Sequence, residues 1–598
     1  MFMSEPPSPR QHTTSSMDRV RELYHAVDQR VGRSTFGRIF RLEGCGHEKE
    51  IQKARFLTEI RAGLTTFFTM AYIIAVNSSV LTDSGATCVC GDQINPTCNM
   101  NNEHAQQYNI CLLGVKRDLI TATAAISGLA SFLFGFLTNM PVALAPGMGL
   151  NAYFAYQVVG YHGSGSVPYG LALAAVFIEG FVFIFLSLLG MRQWLVRLLP
   201  TSVKVASGCG IGLFLALVGL SYSSGIGAIS GGANATPLDI AGCPQQYLDP
   251  LWIGFILGGV LTAYLMAYKV KIAIIVGITI VSIISWPRST SFTYFPHTPE
   301  GDDRFEFFRH VATFHPIQHT LNAVDWDIGK AKSQFVLALF TFLYVDIIDC
   351  TATLYSMARF SGVVDEKSGD FPRSTLAYCT DAICISIGAL FGCSPVTVFI
   401  ESAAGITEGG KTGLTAMTTG VCFFISLFFA PIFASIPPWA TGGTLVLVGC
   451  MMMRQVAHIN WKYIGDTVPA FVTLMFMPFS YSIAYGLIAG LLTYILLNGS
   501  IYLTRKLTRG KLIPIDEDER EYWSYKIAGP APWFMRAFRG SRDGLPAAEG
   551  HEGLASAGEG NRQSLHSDVM SVEDKPDSGD VTGIENSHSL GDNSTTRV

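Results

Sequence analysis

From about Gly63 to about Arg505 the chain is a succession of apolar runs of about 16 to 24 residues, and about 20 such residues cross a bilayer as a helix. The pattern predicts fourteen spans. Seven lie near 63–82, 118–138, 141–158, 169–190, 201–222, 250–268 and 271–286. Seven more lie near 334–357, 376–393, 395–408, 412–432, 438–453, 467–485 and 486–504. Spans 3 and 10 stand apart, because both are short and interrupted by Pro and Gly; span 13 carries Pro469 and Pro478 within it. Residues 1–55 are polar, with neither the apolar run nor the cleavage site of a secretory signal. From about residue 540 the chain is rich in Gly, Ser, Asp and Glu and lacks the apolar content to fold. The expected organisation is a cytoplasmic tail 1–55, a first seven-span repeat 56–286 and an extracellular linker 287–333. A second, inverted repeat 334–505 and a largely disordered cytoplasmic tail 506–598 follow.

Composition agrees. The 598 residues are 49% hydrophobic and 15% charged, against roughly 25% charged in soluble chains. A net charge of −5 gives no reason to expect a nucleic-acid partner. With the N-terminus cytoplasmic, the inner loops carry Arg192, Arg197, Lys269, Lys271, Arg359, Lys411, Arg454, Lys462 and Arg505, a positive-inside series. The loop 287–333 fits less well, since it is external yet basic as well as acidic. Cys88, Cys90, Cys98 and Cys111 fall in the external loop after span 1, where four cysteines allow three pairings. Asn234-Ala-Thr matches an external glycosylation sequon.

The broken spans resemble each other. LFGFLTNMPVALAPGMGLNAYF, from Leu133, and LFGCSPVTVFIESAAGITEGG, from Leu390, share LFG, a polar turn, Pro-Val and a small-residue helical start. Pro141-Val142 matches Pro395-Val396. The two are third and tenth of fourteen, equivalent places in two halves of seven. An odd number of spans per half inverts the second half, and paired broken segments in such a repeat point to a transporter's site. Pro-Val-Thr-Val-Phe-Ile reads as a strand, and extended backbone at membrane depth must pair inside protein. Two such segments can pair, each leading into a half-helix, with Gly147 and Gly149 admitting a ligand to the backbone.

Acids inside spans mark the chemistry. Asp346 and Asp349 share one face of span 8, and intramembrane carboxylates usually line a cavity or relay protons. Glu401 starts the second half-helix. Glu179 in span 4 is a supporting partner, and Asn77 in span 1 bridges helices or touches substrate. Asp381 reads as a cap near an inner end, and Asp118 and Asp466 as boundary residues. No intramembrane Arg or Lys is available to hold an anion, whereas carboxylates and an Asn suit a flat, neutral ring with N–H donors and ring acceptors, a nucleobase. Phe399, or an aromatic of span 1 or 8 such as Tyr344, would stack on it. A carboxylic acid in a low-dielectric pocket exchanges its proton near neutral pH, so proton symport follows. No nucleophile–base set or metal cluster has usable spacing, so neither an enzyme nor a cofactor is expected; the coupling ion is the proton.

One motif argues otherwise. GITEGGKT (405–412) fits the phosphate-loop pattern, which needs a strand before it and a helix after it in a soluble α/β unit. What precedes it is intramembrane, so it reads as a tight cytoplasmic turn.

TTFFTMAYIIAVNSSVL, ALAPGMGLNAYFAY, FLYVDIIDCTATLYSMARFSG and SPVTVFIESAAGITEGGKTGLTAM together resemble the AzgA-like fungal hypoxanthine–adenine–guanine permeases of the nucleobase transporter superfamily. The resemblance covers about 56–505. It implies an all-α membrane fold of fourteen segments in a 7+7 inverted repeat, with spans 1–4 and 8–11 as core and the rest as gate. It implies H⁺ symport of hypoxanthine, adenine and guanine at the plasma membrane, both termini cytoplasmic, by moving core against gate, often as a homodimer. Its substrate positions fall on Asn151, Asp346 and Glu401, with Asp349 a further functional acid. The candidate substrate set is Asn151, Asp346, Glu401, Phe399, Val398 and Gly149; Asp349, Glu179 and Asn77 couple protons or support the site. The alternative is an anion transporter of similar fold, which the acids oppose by charge.

Overall fold

In the computed structural model the described residues run from 25 to 520, with breaks at 49, 89–102, 191–199, 222–224, 232–237, 241–251, 328, 330–331, 364–370, 372, 510–511, 513 and 515. The chain divides into a unit Met1–Phe534, which holds all of them, and a unit Met535–Val598, which holds none. The Asn234 sequon, Cys90, Cys98 and the acidic tail fall outside the described residues.

The long helices form where the apolar runs lie. The first run makes α1 (Phe56–Met70) and α2 (Tyr72–Asp83), meeting at Ala71. Then come α3 (Glu103–Thr138), strand β1 (Leu144–Pro146), the short α4 (Met148–Ala152), α5 (Tyr169–Leu189) and α6 (Thr201–Leu220). A small antiparallel pair, β2 (Ile229–Gly231) and β3 (Leu238–Ile240), precedes α7 (Leu261–Ala267), α8 (Ala273–Ser285) and α9 (Pro299–Arg309). The second half holds α10 (Lys332–Phe360), α11 (Ser374–Leu390), β4 (Val396–Val398) and α12 (Ser402–Thr407). It closes with α13 (Gly413–Ser426), α14 (Ala430–Ala434), α15 (Pro438–Met452), α16 (Ile464–Phe479) and α17 (Ile483–Leu507). Among the described residues, seven helices are long and apolar enough to cross a membrane, and four shorter apolar ones accompany them.

Prolines set several starts. Pro168 and Pro200 stand just before α5 and α6, and Pro438 opens α15, where its missing N–H costs no helical bond. Glycines set the closest crossings. A Cβ on Gly135 of α3 would lie 2.4 Å from the Gly413 carbonyl of α13, and one on Gly219 of α6 would lie 2.6 Å from the Gly442 carbonyl of α15. Small residues at such points let helix backbones touch where lipid offers no hydrophobic drive.

Two polar stretches depart from the sequence reading. α3 begins at Glu103, well ahead of position 118, because EHAQQYN continues the helix beyond the apolar run with good helix formers. The linker 287–333 contains α9, with Pro299 in its first turn and Thr298 accepting from Gly301 N. Cys88 bonds to Cys111, fixing the segment after α2 to α3.

Candidate substrate site between two strand–helix segments

β1 and β4 pair antiparallel, Leu144 with Val398, Ala145 with Thr397 and Pro146 with Val396. The ladder extends one bond at each end: Gly147 N donates to Pro395 O at 2.9 Å and Phe399 N to Ala143 O at 3.1 Å. The outer edges are satisfied by hydroxyls. Ser131 of α3 accepts from Leu144 N at 3.0 Å and donates to Leu144 O at 2.9 Å, and Ser402 accepts from Ala143 N at 3.0 Å. Both strands are fully buried, so no extended backbone is left unpaired toward lipid. α4 and α12 start at the same offset as Pro141 and Pro395, but the first strand lies two residues later than the Pro-Val match implies.

The acids around this pair come from four helices. Asp346 of α10 is fully buried beside Thr397 of β4. Its carboxylate takes no hydrogen bond among the described residues, and neither atom of the Asn151 amide on α4 does. Glu401 stands at the N-cap position of α12, half-buried, and accepts from the Tyr72 hydroxyl at 2.8 Å. Asp349, one helical turn along α10 from Asp346, lies within electrostatic reach of Glu401.

Glu179 of α5 and Asp381 of α11 complete the group. Both are fully buried, and the carboxylates of both lack N–H or O–H donors among the described residues. Each is close enough to Asp346 to interact with it electrostatically, and Glu179 likewise with Asp381. Gly180 makes the contact possible: a Cβ there would lie 2.5 Å from the Ala382 carbonyl. Asp381 is therefore not a cap. It sits in the body of α11, whose N-cap is Arg373, with the Cys350 thiol beside it. The signal was present in the sequence, an acid in an apolar span, as for Asp346.

The remaining expected residues take the following places. Asn77 bridges helices, donating to Thr123 Oγ1 at 2.7 Å and accepting from Ser394 Oγ at 3.4 Å. Val398 and Phe399 are buried at the strand end, 3% and 5% exposed. The glycines admit protein neighbours: a Cβ on Gly147 would meet Thr397 Cγ2 at 2.7 Å, and one on Gly149 would meet Ile211 Cγ2 at 2.5 Å. Tyr344 stacks on Phe340, centroids 6.3 Å apart. Tyr72 was legible only as an unassigned span 1 aromatic. Asp118, expected at a boundary, is fully buried and binds the linker instead, accepting from Gln318 N at 2.9 Å, His319 N, His315 Nε2 at 3.0 Å and His319 Nδ1 at 3.1 Å.

The phosphate-loop look-alike is filled from within. Glu59 of α1, fully buried, accepts from Lys411 N at 3.0 Å, Thr412 N at 3.1 Å and Thr415 Oγ1 at 2.6 Å. Gly413 N donates to Asn139 Oδ1 at 2.9 Å. The amides that would cradle a phosphate in a nucleotide fold hold a carboxylate of the same chain.

Buried acids beside paired strand–helix segments are the kind of arrangement that marks a carrier's site in a multi-pass membrane protein. A family model described as a permease family, of the xanthine/uracil type, matches residues 111–489. The chain is 57% identical over 531 residues to an efflux pump, notK′, of Aspergillus versicolor, covering 86% of this chain and 91% of the relative. It is 53% identical over 543 residues to a putative xanthine/uracil permease of Schizosaccharomyces pombe, covering 88% and 86%. It is 34% identical over 458 residues to the guanine/hypoxanthine permease PbuO of Bacillus subtilis, covering 75% and 92%. The chain belongs to the xanthine/uracil permease family. Among solved structures, the transmembrane domain of the cyanobacterial bicarbonate transporter BicA aligns with a TM-score of 0.47 at 15% identity, covering 74% of this chain and 98% of that one.

Proposed function

We propose that this protein is a proton-coupled symporter that imports purine bases across the plasma membrane by moving a core against a gate. The observation that carries the reading is the set of polar atoms on Asn151 and Asp346 that are unpartnered among the described residues, with Glu401 at the start of the helix that follows β4. Together they offer acceptors for ring N–H groups and an amide that both donates and accepts, as a purine requires. Names of relatives, guanine/hypoxanthine permease among them, support the substrate class. Neighbouring buried carboxylates at Glu179, Asp346 and Asp381 share protons more readily than they hold three negative charges, and that group is the proton carrier. The packing supports the repeat: α3 lies on α13 and α5 on α11, and exchanging the two halves of seven turns one pair into the other. The disulfide end of α2 and α3 faces outside, where disulfides persist.

The test is uptake of radiolabelled hypoxanthine at two external pH values by cells bearing Asp346→Ala, Glu401→Gln or Asp381→Asn at equal surface abundance. Loss in the first two, and a flattened pH profile in the third, is expected; normal uptake by the first two rejects the site. A second reading, outward transport, is favoured by the name of the Aspergillus relative. Efflux from preloaded cells without net uptake selects it. Anion exchange is disfavoured by the charge of the site, and sulfate uptake in place of purine would restore it.

A further inference from the structure

A cavity of about 780 Å³ opens at the disulfide end of the molecule, away from the acids. Its size falls in the range of small-molecule sites. It is walled by α2 and α3, by the linker from Ser291 to Arg304, and by the first turn of α15. Four features bear on its occupant. Ser79, Thr82 and Asp83 of α2 line it, at the three- and four-residue spacing of one helix face. Seven residues back on that face stands Tyr72, which binds Glu401, so one helix joins the cavity to the central site over roughly 16 Å. Phe292 and Trp439 add flat apolar surface, and Asn109 adds an amide. The charges cancel locally: Lys116 donates to the Tyr294 hydroxyl at 3.1 Å, Arg304 lies over the same ring and 4.0 Å from Glu300, and Glu300 accepts from Asn109 at 2.9 Å. Such a lining selects neither an anion nor a cation. It suits a neutral, planar, hydrogen-bonding ring that stacks on an aromatic face.

We propose that this cavity is an outer capture site, where a purine base stacks at Phe292 and Trp439 and bonds to Asp83, Thr82 and Asn109 before passing along α2 to the central acids. The proposal rests on the purine-transport reading. The site is not part of the central one, since it shares no residue with it. It lies between α2 and α3 of the core and α15 of the gate, so core movement changes its walls.

The test places a cysteine in the lining at a position that does not bond the base, Leu112→Cys, in full-length protein on intact cells, and follows its labelling by a membrane-impermeant thiol reagent with the parent chain as blank. Hypoxanthine should slow the labelling about threefold at about twice its dissociation constant, and sulfate should not. The same protection should persist when Asp346→Ala is added, because capture does not need the central site. Protection that vanishes with Asp346→Ala, or is absent in both backgrounds, overturns the capture site; so does a cysteine the reagent cannot reach. Ser79→Cys repeats the measurement should Leu112→Cys fail to reach the surface. Uptake by Asp346→Ala alone judges the central site separately, so the two failures are told apart.

Discussion

Glu59→Gln is the sharpest perturbation of the fold that supports the site. Glu59 Oε1 accepts one amide, Lys411 N, and Oε2 accepts the Thr412 amide and the Thr415 hydroxyl. A glutamine can keep its oxygen on the Oε2 side, where two donors lie. Its NH₂ then faces Lys411 N–H, donor against donor. One hydrogen bond to a charged group is lost and one amide is left unsatisfied, a cost of about 2–4 kcal/mol. The turn 409–412 links α12, which carries Glu401 at its start, to α13, so the loss falls on the scaffold and not on the ligand contacts. The assay is fluorescence-detected gel filtration of heated, detergent-solubilised protein, with hypoxanthine KM measured on what reaches the surface. The melting midpoint should drop by several degrees while KM stays within a factor of two. A variant that melts with the parent would refute the idea that the carboxylate replaces a phosphate as the organiser of this loop. Gain of ATP binding by Glu59→Ala would refute it from the other side.

Three further outcomes are expected. Tyr72→Phe removes the donor to Glu401, a bond to a charged group worth about 1.5–3 kcal/mol, so kcat/KM for hypoxanthine should fall about tenfold or more with surface abundance unchanged; an unaltered value would place Glu401 outside the substrate's reach. Lys271, between α7 and α8, pairs with Glu408 at the end of α12, which Arg61 also contacts at 3.4 Å. A partly exposed pair is worth up to about 1 kcal/mol, so if core and gate separate here Lys271→Ala should change the maximal rate by a few fold and Lys271→Arg should not, whereas equal rates in all three would show that the pair persists through the cycle. His162, whose Nδ1 meets the Tyr108 hydroxyl at 2.7 Å, is held below its ordinary 6.5 by burial. The folded loop therefore binds fewer protons than the unfolded one, its stability is complete above 6.5 and is lost as pH falls below it, and hydrogen-exchange protection factors at 158–165, which remove the intrinsic slowing of exchange by acid, should fall with acid in the parent but not in His162→Asn.

The sequence was most legible where physics leaves few choices. Long apolar runs become helices, and two Pro-headed segments at matching places, the second of them β-branched, pair as β1 and β4 do. Asp346, Glu401 and Glu179 were found because an acid in an apolar span has no innocuous reading. Asp381 was misread by its place near a predicted span end, although α11 starts at Ser374 and buries it mid-helix. Gly149 was assigned to a ligand because glycine's lack of a side chain is visible in sequence and what fills the space, here Ile211, is not. Asp118 was called a boundary residue because its partners, His315 and His319, lie in a linker whose fold no periodicity announces. The same limit hid Glu59: a contact between residues 59 and 412 leaves no trace in local pattern.

The polar atoms at the site also argue about coupling. Buried polar groups in folded proteins are nearly all hydrogen-bonded, and Glu59 and Asp118 show this chain meeting that rule with three and four donors. Asn151 and Glu179 do not meet it among the described residues, and Asp346 and Asp381 have beside them the Thr397 hydroxyl and the Cys350 thiol in place of a set of N–H donors. A buried carboxylate without donors is costly unless something supplies them, and two things can do so here: a ring N–H of the substrate, or a proton. On the proposed reading, a base that engages Asp346 removes a proton position the neighbouring acids share, so they take one from solution; binding of base and binding of proton would then favour each other, and by linkage each to the same degree. On this argument a variant that gives Asp381 a permanent hydrogen, Asp381→Asn, should bind purine without proton uptake. Calorimetric titration in buffers of different ionisation enthalpy would register a proton count near zero for the variant and near one for the parent, and equal counts would remove Asp381 from the coupling.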